Sequence, residues 1–536
     1  MNLIENEWIP VRRRSGKVAR IAPWQLTDGF AEDPIIMVSA PRPDFNGALV
    51  QYLIGLLQTG FAPDDARAWR RRLREPPAPA ELKEAFLTVA SAFYLDEGEA
   101  RFLQDLNLEL EIRKLMPSEQ QKRTCGVGDL LIEMPTGKTL EDNTDHFVKR
   151  GRVAAMCPAC VAAGLLSLQT NAPAGGQGHR TGLRGGGPLT TLILADSLWA
   201  TTWLNVLERG FFNATGNPAR NAPGDRFPWL GQTRTSEDDR ATTPDDAHPA
   251  QVFWGMPRRI RLTFSNGQAN CDVCGAVGNW LVSQYLTKNF GVHYVGPWRH
   301  PLSPYFVGPE GARSAVHPRG GIGYRHWLGL VHGTEDPRGK REPAAVVERY
   351  LRIGSDDLRL WAFGYDMDNM KARCWYDASM PLPFCPEDIR EAFAFRVKAI
   401  VQSAGLAASA TRAQLKKALF KPGVDVPGNL LFIAGRYWQE TESPFYTLLP
   451  RVRQVLREHG DAIAILEEWH KTLVKTAEGI FDDVSRTGAF DAADPKRIAL
   501  AWRDLQKEMH GRKMRQTLGL PDGPSKTVRV GQRKER

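Results

Sequence analysis

Four cysteines are arranged in two pairs whose spacing is typical of metal sites. Cys157 and Cys160 enclose Pro-Ala, and Cys271 and Cys274 enclose Asp-Val and precede a glycine. Two such pairs supply four thiolates, the tetrahedral ligand set that Zn²⁺ prefers. Because four thiolates leave no coordination position for water, the sequence predicts a structural zinc ion rather than a catalytic one. A redox-active pair and ordinary core cysteines without metal remain as alternatives.

A glycine-dense segment, residues 172–188 (APAGGQGHRTGLRGGGP), lies between the two cysteine pairs. Glycine allows the backbone to approach a ligand closely, and successive free N–H groups can bind phosphate or reach into a groove. Arg180 and Arg184 add positive charge to this segment. A flexible surface loop is the alternative. A dinucleotide fingerprint is excluded, because no clear strand-turn-helix context surrounds the glycines.

Motifs for catalysis are absent from the sequence or incomplete. Residues 134–139 (MPTGKT) resemble the end of a P-loop, but the motif requires glycine five residues before Gly137, where Ile132 stands. The sequence contains no Gly-x-Ser-x-Gly element and no His-Asp dipeptide of the kind found in metal-dependent phosphohydrolases. We therefore expect no catalytic site.

The charge of the chain favours polyanionic partners. Among 536 residues, 70 are Lys or Arg and 61 are Asp or Glu, which gives a formal net charge of +9. A solvated basic surface is the alternative, but clusters spread along a chain suit a long phosphate track better than a small anion pocket. The clusters lie at residues 12–14, 70–72, 149–152, 258–261 and 512–536. Because no apolar run approaches 20 residues and the N-terminal segment lacks a signal-peptide pattern, we expect a cytoplasmic protein with no membrane contact.

The secondary structure that the sequence predicts for the segments carrying these groups changes near residue 381. Before it, residues 46–60 read as a buried helix and residues 188–195 as a strand. Beyond it the sequence is strongly helical, with predicted helix starts at Pro386, Ser443–Pro444, Asp461 and Asp494–Pro495. In the third of these helices, apolar residues at steps of three and four form one stripe: Leu466, Trp469, Leu473, Ala477, Ile480 and Val484.

The predicted fold class is α+β. Residues 1–380 form a large mixed α/β domain that carries the four-cysteine zinc site and the glycine-rich loop. Residues 381–515 form a C-terminal four-helix bundle, because several amphipathic helices joined by loops pack in this way. Residues 516–536 are predicted to be a basic, disordered tail.

Short segments that follow one another in a fixed order carry a family resemblance. They are residues 2–12 (NLIENEWIPVR), 93–95 (FYL), 182–186 (GLRGG), 188–191 (PLTT), 204–207 (LNVL) and 297–301 (PWRHP). With the two cysteine pairs flanking the glycine-rich loop, this succession resembles the CasA family, the large subunit of the type I-E CRISPR Cascade surveillance complex. The resemblance extends from residue 2 to about residue 510 and implies a mixed α/β domain followed by a helical bundle.

The resemblance also implies a function. The subunit would recognise the protospacer-adjacent motif in double-stranded DNA, largely from the minor groove, and start duplex opening and R-loop formation. Pairing with the guide then reads the target sequence. The implied partners are the other Cascade subunits, crRNA, target double-stranded DNA and the helicase-nuclease that the subunit helps to recruit for antiviral defence. A zinc-dependent nucleic-acid enzyme and a generic RNA-binding scaffold remain the alternatives.

By resemblance, particular residues take part in binding, and several depart from the family pattern. The implied DNA-binding residues are Ala174, Gly175, Gly176, Lys288, Asn289, Asp368, Asn369 and Met370. Here Ala174 replaces a family glycine, Asn289 a lysine, and Asn369 a glutamine that splits the duplex. These departures leave the preferred DNA motif open. The implied crRNA-binding residues are Phe147, Lys149, Arg150 and Arg152.

Overall fold

The computed structural model describes residues 1–135, 137–142, 149–368, 371–421, 430–487 and 494–521. The chain divides into two compact units. The first comprises Met1–Ile322 and Gly329–Leu382, and the second comprises Gly323–Leu328 and Pro383–Arg536. None of the described helices is both long and apolar enough to cross a lipid bilayer.

The strands of the first unit form small antiparallel sheets. They are β1 (Ile9–Arg13), β2 (Val18–Ile21), β3 (Ile35–Val38), β4 (Thr124–Gly126), β5 (Thr190–Leu194), β6 (Arg259–Asn270), β7 (Val277–Lys288), β8 (Tyr305–Val307), β9 (Arg313–Ala315), β10 (Thr334–Asp336), β11 (Gly339–Glu342), β12 (Leu358–Asp368) and β13 (Lys371–Leu382). The strand orders are β2-β1-β3, β4-β7-β6, β13-β12-β5 and β10-β11-β8-β9. Strand β5 confirms the strand predicted over residues 188–195.

The α-helices before residue 383 are mostly short. They are α1 (Pro43–Gly60), α2 (Ala66–Arg74), α3 (Pro79–Leu87), α4 (Leu108–Arg113), α5 (Pro117–Lys122), α6 (Lys138–Glu141), α7 (Pro158–Asn171), α8 (Leu198–Leu204), α9 (Arg209–Asn213), α10 (Pro223–Arg226), α11 (Trp327–Val331) and α12 (Ala345–Ile353). Helix α1 confirms the predicted helix over 46–60 and is buried along most of its length. Its Tyr52 packs edge-on against Trp8 and Trp254, with ring centroids 5.4 and 5.9 Å apart. This aromatic cluster forms part of the core that supports α1 and its neighbour α7.

The second unit is helical. Its helices are α13 (Glu387–Leu419), α14 (Leu431–Arg457), α15 (Ile463–Thr487), α16 (Pro495–Met509) and α17 (Arg512–Leu518). Helix α13 packs against each of the other four. The stripe predicted on α15 is buried from Leu466 to Ile480, and Val484 is half-buried. The mixed helix and sheet content is confirmed, whereas the four-helix bundle stays a prediction.

The predicted helix starts have different outcomes. Helix α13 begins directly after Pro386, and Asp494 caps α16 by accepting a hydrogen bond from the Lys496 N–H at 2.9 Å. The start predicted at Ser443–Pro444 is wrong, because Pro444 lies inside α14. An interior proline costs about 3 kcal/mol. The buried face of α14 continues on both sides of the proline and offsets this cost.

The last described helix reaches into the segment assigned to the tail. Residues 516–518 belong to α17, whose Met514 and Leu518 are buried. Burial of these two apolar side chains explains why the helix extends past residue 515. The tail prediction beyond residue 521 lies outside the described residues.

Candidate metal centre and nucleic-acid interface

The four predicted metal ligands come together in the first unit. The Sγ atoms of Cys157, Cys160, Cys271 and Cys274 all lie within 4.8 Å of one another. The Sγ atoms of Cys157 and Cys274 are 3.7 Å apart. Zn–S bonds of about 2.3 Å in a tetrahedron separate neighbouring sulfurs by about 3.8 Å. The Cys157–Cys274 distance matches this spacing, and all four sulfurs lie close enough together to bind one metal ion.

Two local structures present these thiols. Cys157 occupies the N-cap position of α7, and Cys160 lies in the first turn of that helix. Cys271 and Cys274 lie in the connection between β6 and β7, where the Gly275 N–H donates to the Cys271 carbonyl at 2.8 Å. Gly275 has φ +74°, which explains why a glycine follows the second pair.

Hydrogen bonds hold the two cysteine pairs together. The Asp272 carboxylate accepts from the N–H groups of Ala154 and Ala155 at 2.7 and 2.9 Å. Met156 and Val282 exchange two backbone hydrogen bonds, each of 2.9 Å. The chain before the first pair is therefore fastened to the β6–β7 hairpin by protein groups as well as by any bound ion.

The chemistry of the four thiols fits a divalent cation. The neighbouring thiols of Cys157 and Cys271, together with burial, raise the pKa of Cys160. Hydrogen bonds from Cys157 and Cys160 lower the pKa of Cys271. A bound cation would stabilise the thiolate form of all four cysteines together. Soft sulfur donors without a carboxylate among them are the ligand set of structural zinc.

The outer face of the glycine-rich loop is open to solvent. Ala174 and Gly176 are exposed, and Gly175 is half-buried. Gly176 has φ +66°, and a Cβ atom added there would meet nothing within 4 Å. At Gly175, an added Cβ would make only ordinary van der Waals contact with His179, at 3.5 Å. A ligand can therefore approach the backbone of residues 174–176 closely.

Arg258 anchors the inner face of this loop. Its guanidinium donates a short hydrogen bond to the Pro173 carbonyl and lies 2.6 Å from Nδ1 of His179. Burial lowers the pKa of Arg258 to about 10. Burial, with a further contribution from Arg258, also lowers the pKa of His179. Because a guanidinium can only donate, Nδ1 of His179 is the acceptor and the imidazole is neutral.

The predicted residue Asn289 lies beside the glycine-rich loop. Its Nδ2 donates to the Gln177 carbonyl at 2.7 Å, and the Phe290 N–H donates to the Gly178 carbonyl at 2.8 Å. Phe290 adopts φ +62°, a conformation that costs a non-glycine residue on the order of 1–3 kcal/mol. Strain of this kind is concentrated at functional sites.

Lys288 is engaged in ion pairs. Its Nζ lies 2.8 Å from Glu237 and 3.1 Å from Glu111, and its side chain is 28% exposed. Burial opposes the charged form, but the two carboxylates outweigh burial and raise the pKa of Lys288. A phosphate would have to compete with these carboxylates for Lys288.

The hairpin of β12 and β13 lies next to the same loop. Asp368, at the end of β12, has a side chain that is 62% exposed. Gly187 has φ +61°, and a Cβ added there would lie 2.6 Å from the Tyr365 carbonyl. A Cβ added to Gly186 would lie 3.0 Å from the Cα of Pro173. These close approaches put the backbone of β12 at Tyr365 against the end of the loop, and the end of the loop against its start at Pro173.

Three of the arginines counted as positive charge are internal: Arg184, Arg259 and Arg261, the last of which donates to the Glu99 carbonyl at 2.8 Å. Arg184 is buried and donates to Thr190 at 3.0 Å and Ser303 at 2.9 Å, and burial lowers its pKa to about 10. Arg259 is also buried and pairs with Asp105 at 2.6 Å. The interpretation of these arginines as surface charge for phosphate is therefore wrong, because each neutralises or ties together groups inside the unit.

The predicted crRNA-binding segment is described only in part. Lys149, Arg150 and Arg152 are exposed. Phe147, and the hairpin residues Asn369 and Met370, lie outside the described residues.

Sequence reasoning missed the residues that hold the loop in place. Arg258, His179 and Phe290 were not among the candidates. A positive φ at Phe290 leaves no trace in residue type. In the sequence, Arg258 is one member of a basic cluster, and nothing in the spacing of that cluster indicates that Arg258 contacts the glycine-rich loop.

The structure shows a protein of mixed helix and sheet in which a cluster of four cysteines, able to hold a metal ion, joins a helix to a hairpin near an exposed glycine-rich loop. Residues 2–480 match the family model described as CRISPR-associated protein Cse1, and the chain belongs to this family. The resemblance to CasA is thereby confirmed.

Solved structures share the fold over nearly the whole chain. CasA from Thermus thermophilus is 18% identical with a TM-score of 0.68, covering 95% of this chain and 99% of that one. Cse1 from Thermobifida fusca is 18% identical with a TM-score of 0.68, covering 97% and 98%. A chain described as CRISPR RNA-guided surveillance complex is 16% identical with a TM-score of 0.66, covering 95% and 99%.

Proposed function

We propose that this chain is the large subunit of a Cascade-type CRISPR RNA-guided surveillance complex and recognises the protospacer-adjacent motif in duplex DNA. The family match and the similarity to a chain of a surveillance complex support the assembly. One observation carries the DNA-reading role. The glycine-rich loop, the Asn289 segment and the β12–β13 hairpin are remote in sequence but lie next to one another.

The loop is suited to inspecting a narrow groove. The minor groove is about 6 Å wide and presents base acceptors together with the guanine amino group. The small residues Ala174, Gly175 and Gly176 bring the backbone close to such a groove. Asn289 uses Nδ2 to hold the loop, which leaves its Oδ1 to accept a hydrogen bond from a guanine amino group.

The hairpin beside the loop is suited to starting strand separation. Side chains inserted between base pairs unstack DNA at a cost of a few kcal/mol per step. We assign this wedge to Asp368, Asn369 and Met370, and guide pairing then extends the opened region. Phe147, Lys149, Arg150 and Arg152 contact crRNA in this proposal.

The metal centre has a structural role in this proposal. Cys157, Cys160, Cys271 and Cys274 would hold Zn²⁺, whose charge stabilises four thiolates and closes the site to water. The chain has no catalytic function. Residues 1–380 act in DNA recognition, residues 381–515 form a four-helix bundle, and the basic tail follows the end of α17 at Leu518. The subunit also helps to recruit the helicase-nuclease.

The test uses the chain assembled with crRNA and its partner subunits. A library of duplexes with one target sequence and randomised flanking bases is incubated with the complex, and bound DNA is sequenced. We expect enrichment of a short flanking motif, and an Ala174→Asp variant should reduce this binding about tenfold through repulsion of phosphates. Binding without any flanking preference would refute the proposal.

Two assays on the purified chain address the alternatives. Cleavage of nucleic acid that requires added Zn²⁺ or Mg²⁺ would favour an enzyme. Preferential binding of single-stranded RNA without guide complex would favour a scaffold.

A further inference from the structure

A small cavity of about 20 Å³ lies inside the first unit, between α1, α7 and the glycine-rich loop. Its lining includes Gln51 of α1, Gln169 of α7, Arg184 of the loop, His300 and Phe253, all of them buried. A cavity needs about 10–15 Å³ to hold a single water molecule. The cavity therefore admits one guest of the size of a water molecule or a monatomic ion, and it excludes phosphate.

The charge of Arg184 has no counter-ion in the protein. Two other arginines are equally buried, and each has a carboxylate: Arg259 lies 2.6 Å from Asp105, and Arg261 lies 3.6 Å from Glu109. Within the described ranges, Arg184 forms no ion pair, and its hydrogen bonds go to neutral side chains. Because an isolated buried charge is costly, Arg184 favours an anion beside it.

The guanidinium of Arg184 also has hydrogen-bonding capacity to spare. It carries five N–H groups. Two of them donate to Thr190 and Ser303, and a third donates to Oε1 of Gln51 at 2.6 Å. The remaining two have no acceptor in the part of the chain that the structure describes. Burial lowers the pKa of Arg184 only to about 10, so the group is charged at neutral pH.

His300 supplies a further donor to the cavity. Its Nδ1 accepts from the Leu302 N–H at 3.2 Å. Burial, with a smaller contribution from Arg184, holds the pKa of His300 well below its ordinary value. The imidazole is therefore neutral, and its hydrogen is on Nε2. Among the described residues, none accepts a hydrogen bond from this Nε2–H.

We propose that the cavity binds one chloride ion, held between the guanidinium of Arg184 and the Nε2–H of His300. A halide is monatomic, accepts hydrogen bonds without donating any, and neutralises the buried charge. A water molecule also accepts from both donors, but it leaves the guanidinium without a counter-ion. The ion ties the glycine-rich loop to the core at Arg184, whatever ligand the outer face of the loop binds.

The test measures the unfolding temperature of the full-length protein during a chloride titration. Sodium gluconate keeps the ionic strength constant, and gluconate is too large for the cavity. Chloride should raise the unfolding temperature in a saturable way, by about 2 °C or more. Bromide at the concentration that saturates this effect should give an anomalous scattering peak in crystals, within hydrogen-bonding distance of His300 Nε2. No rise, or no bromide at this position, would overturn the proposal.

Histidine variants separate the site from a general effect of salt. In His300→Asn, the amide oxygen can still accept from the Leu302 N–H, but the Nε2 donor is lost. The chloride concentration at half saturation should therefore rise about tenfold. His248 is a matched control outside the cavity, because its Nδ1 accepts from the Ala250 N–H at 3.1 Å in the same local arrangement. His248→Asn should keep the wild-type response, and an equal response in both variants would contradict the site.

Removal of the buried charge gives the last measurement. Arg184→Gln removes the need for a counter-ion, so the folded variant should show no chloride response. Persistence of the wild-type response in this variant would overturn the proposal. The His300→Asn titration decides the question if Arg184→Gln does not fold.

Discussion

Replacing Gly178 by alanine should release the glycine-rich loop. Gly178 has φ +73°, and an added Cβ would lie 2.9 Å from the Phe290 ring and 3.0 Å from Cβ of Asn289. Real Cβ atoms essentially never approach other atoms this closely. Either the ring of Phe290 moves or the loop separates from the Asn289 segment.

The contacts at Gly178 set the size of the effect. Alanine in the left-handed region costs about 1–2 kcal/mol. Separation of the loop also breaks the hydrogen bonds from Asn289 to Gln177 and from Phe290 to Gly178, each worth about 0.5–1.5 kcal/mol. Loss of the two hydrogen bonds therefore adds roughly 1–3 kcal/mol to the cost of placing alanine in the left-handed conformation. This energy weakens loop docking by about 5- to 150-fold.

Gly16 provides a matched control. It has φ +89°, and an added Cβ would meet nothing within 4 Å, so Gly16→Ala carries the strain without the clash. Hydrogen exchange of residues 174–178 should accelerate at least fivefold in Gly178→Ala and stay at the wild-type rate in Gly16→Ala. In the assembled complex, only Gly178→Ala should bind target duplex about tenfold more weakly. Equal loop exchange in the two variants would contradict the packing argument.

Three further predictions concern the metal, a helix cap and pH. Cys160→Ser should lose stoichiometric zinc by elemental analysis and lower the unfolding temperature, whereas Cys374→Ser, at an exposed cysteine outside the cluster, should do neither. Asp494→Ala should lower the free energy of unfolding by about 1 kcal/mol in urea titration, because the α16 cap is lost; an unchanged midpoint would refute the cap. In the folded state, burial and Arg258 hold the pKa of His179 below its ordinary value of 6.5. The neutral imidazole therefore stabilises the folded loop above pH 6.5, and this stabilisation is lost as the pH falls below that value. After correction for the slower intrinsic exchange at low pH, the protection factors of residues 174–178 should therefore fall between pH 7.5 and 5.5, and Arg258→Gln should lower them already at pH 7.5.

The clustering of the four cysteines was predictable because its signal is local. Each Cys-x-x-Cys pair identifies itself by spacing, and four thiolates suggest a common ion whatever chain separates the pairs. The long helices of the second unit were predictable for the same reason, since the stripe on α15 follows a fixed period. The helix start predicted at Ser443–Pro444 was wrong because the local signal takes no account of the buried face of α14, which continues on both sides of Pro444.

The role of each arginine depends on tertiary structure. Arg258, Arg259 and Arg184 look alike as basic residues in the sequence. In the structure, Arg258 holds the loop, Arg259 pairs with Asp105, and Arg184 ties Thr190 to Ser303. Burial and partner identity decide these roles, and both come from segments far away in the chain. A count of basic residues therefore overstates the positive charge at the surface of the protein.

The cysteine cluster and the glycine-rich loop with Asn289 lie at opposite ends of the same two elements, α7 and β7. Helix α7 begins at the first cysteine pair and ends at Asn171, directly before the glycine-rich loop. Strand β7 follows the second pair and ends at Lys288, directly before Asn289. Because the cluster fastens the near ends of α7 and β7, it restrains where their far ends meet. A zinc ion without catalytic chemistry would thus affect DNA recognition by limiting the movement of Asn289 against the loop, and its removal should be detected first as faster exchange at residues 174–178.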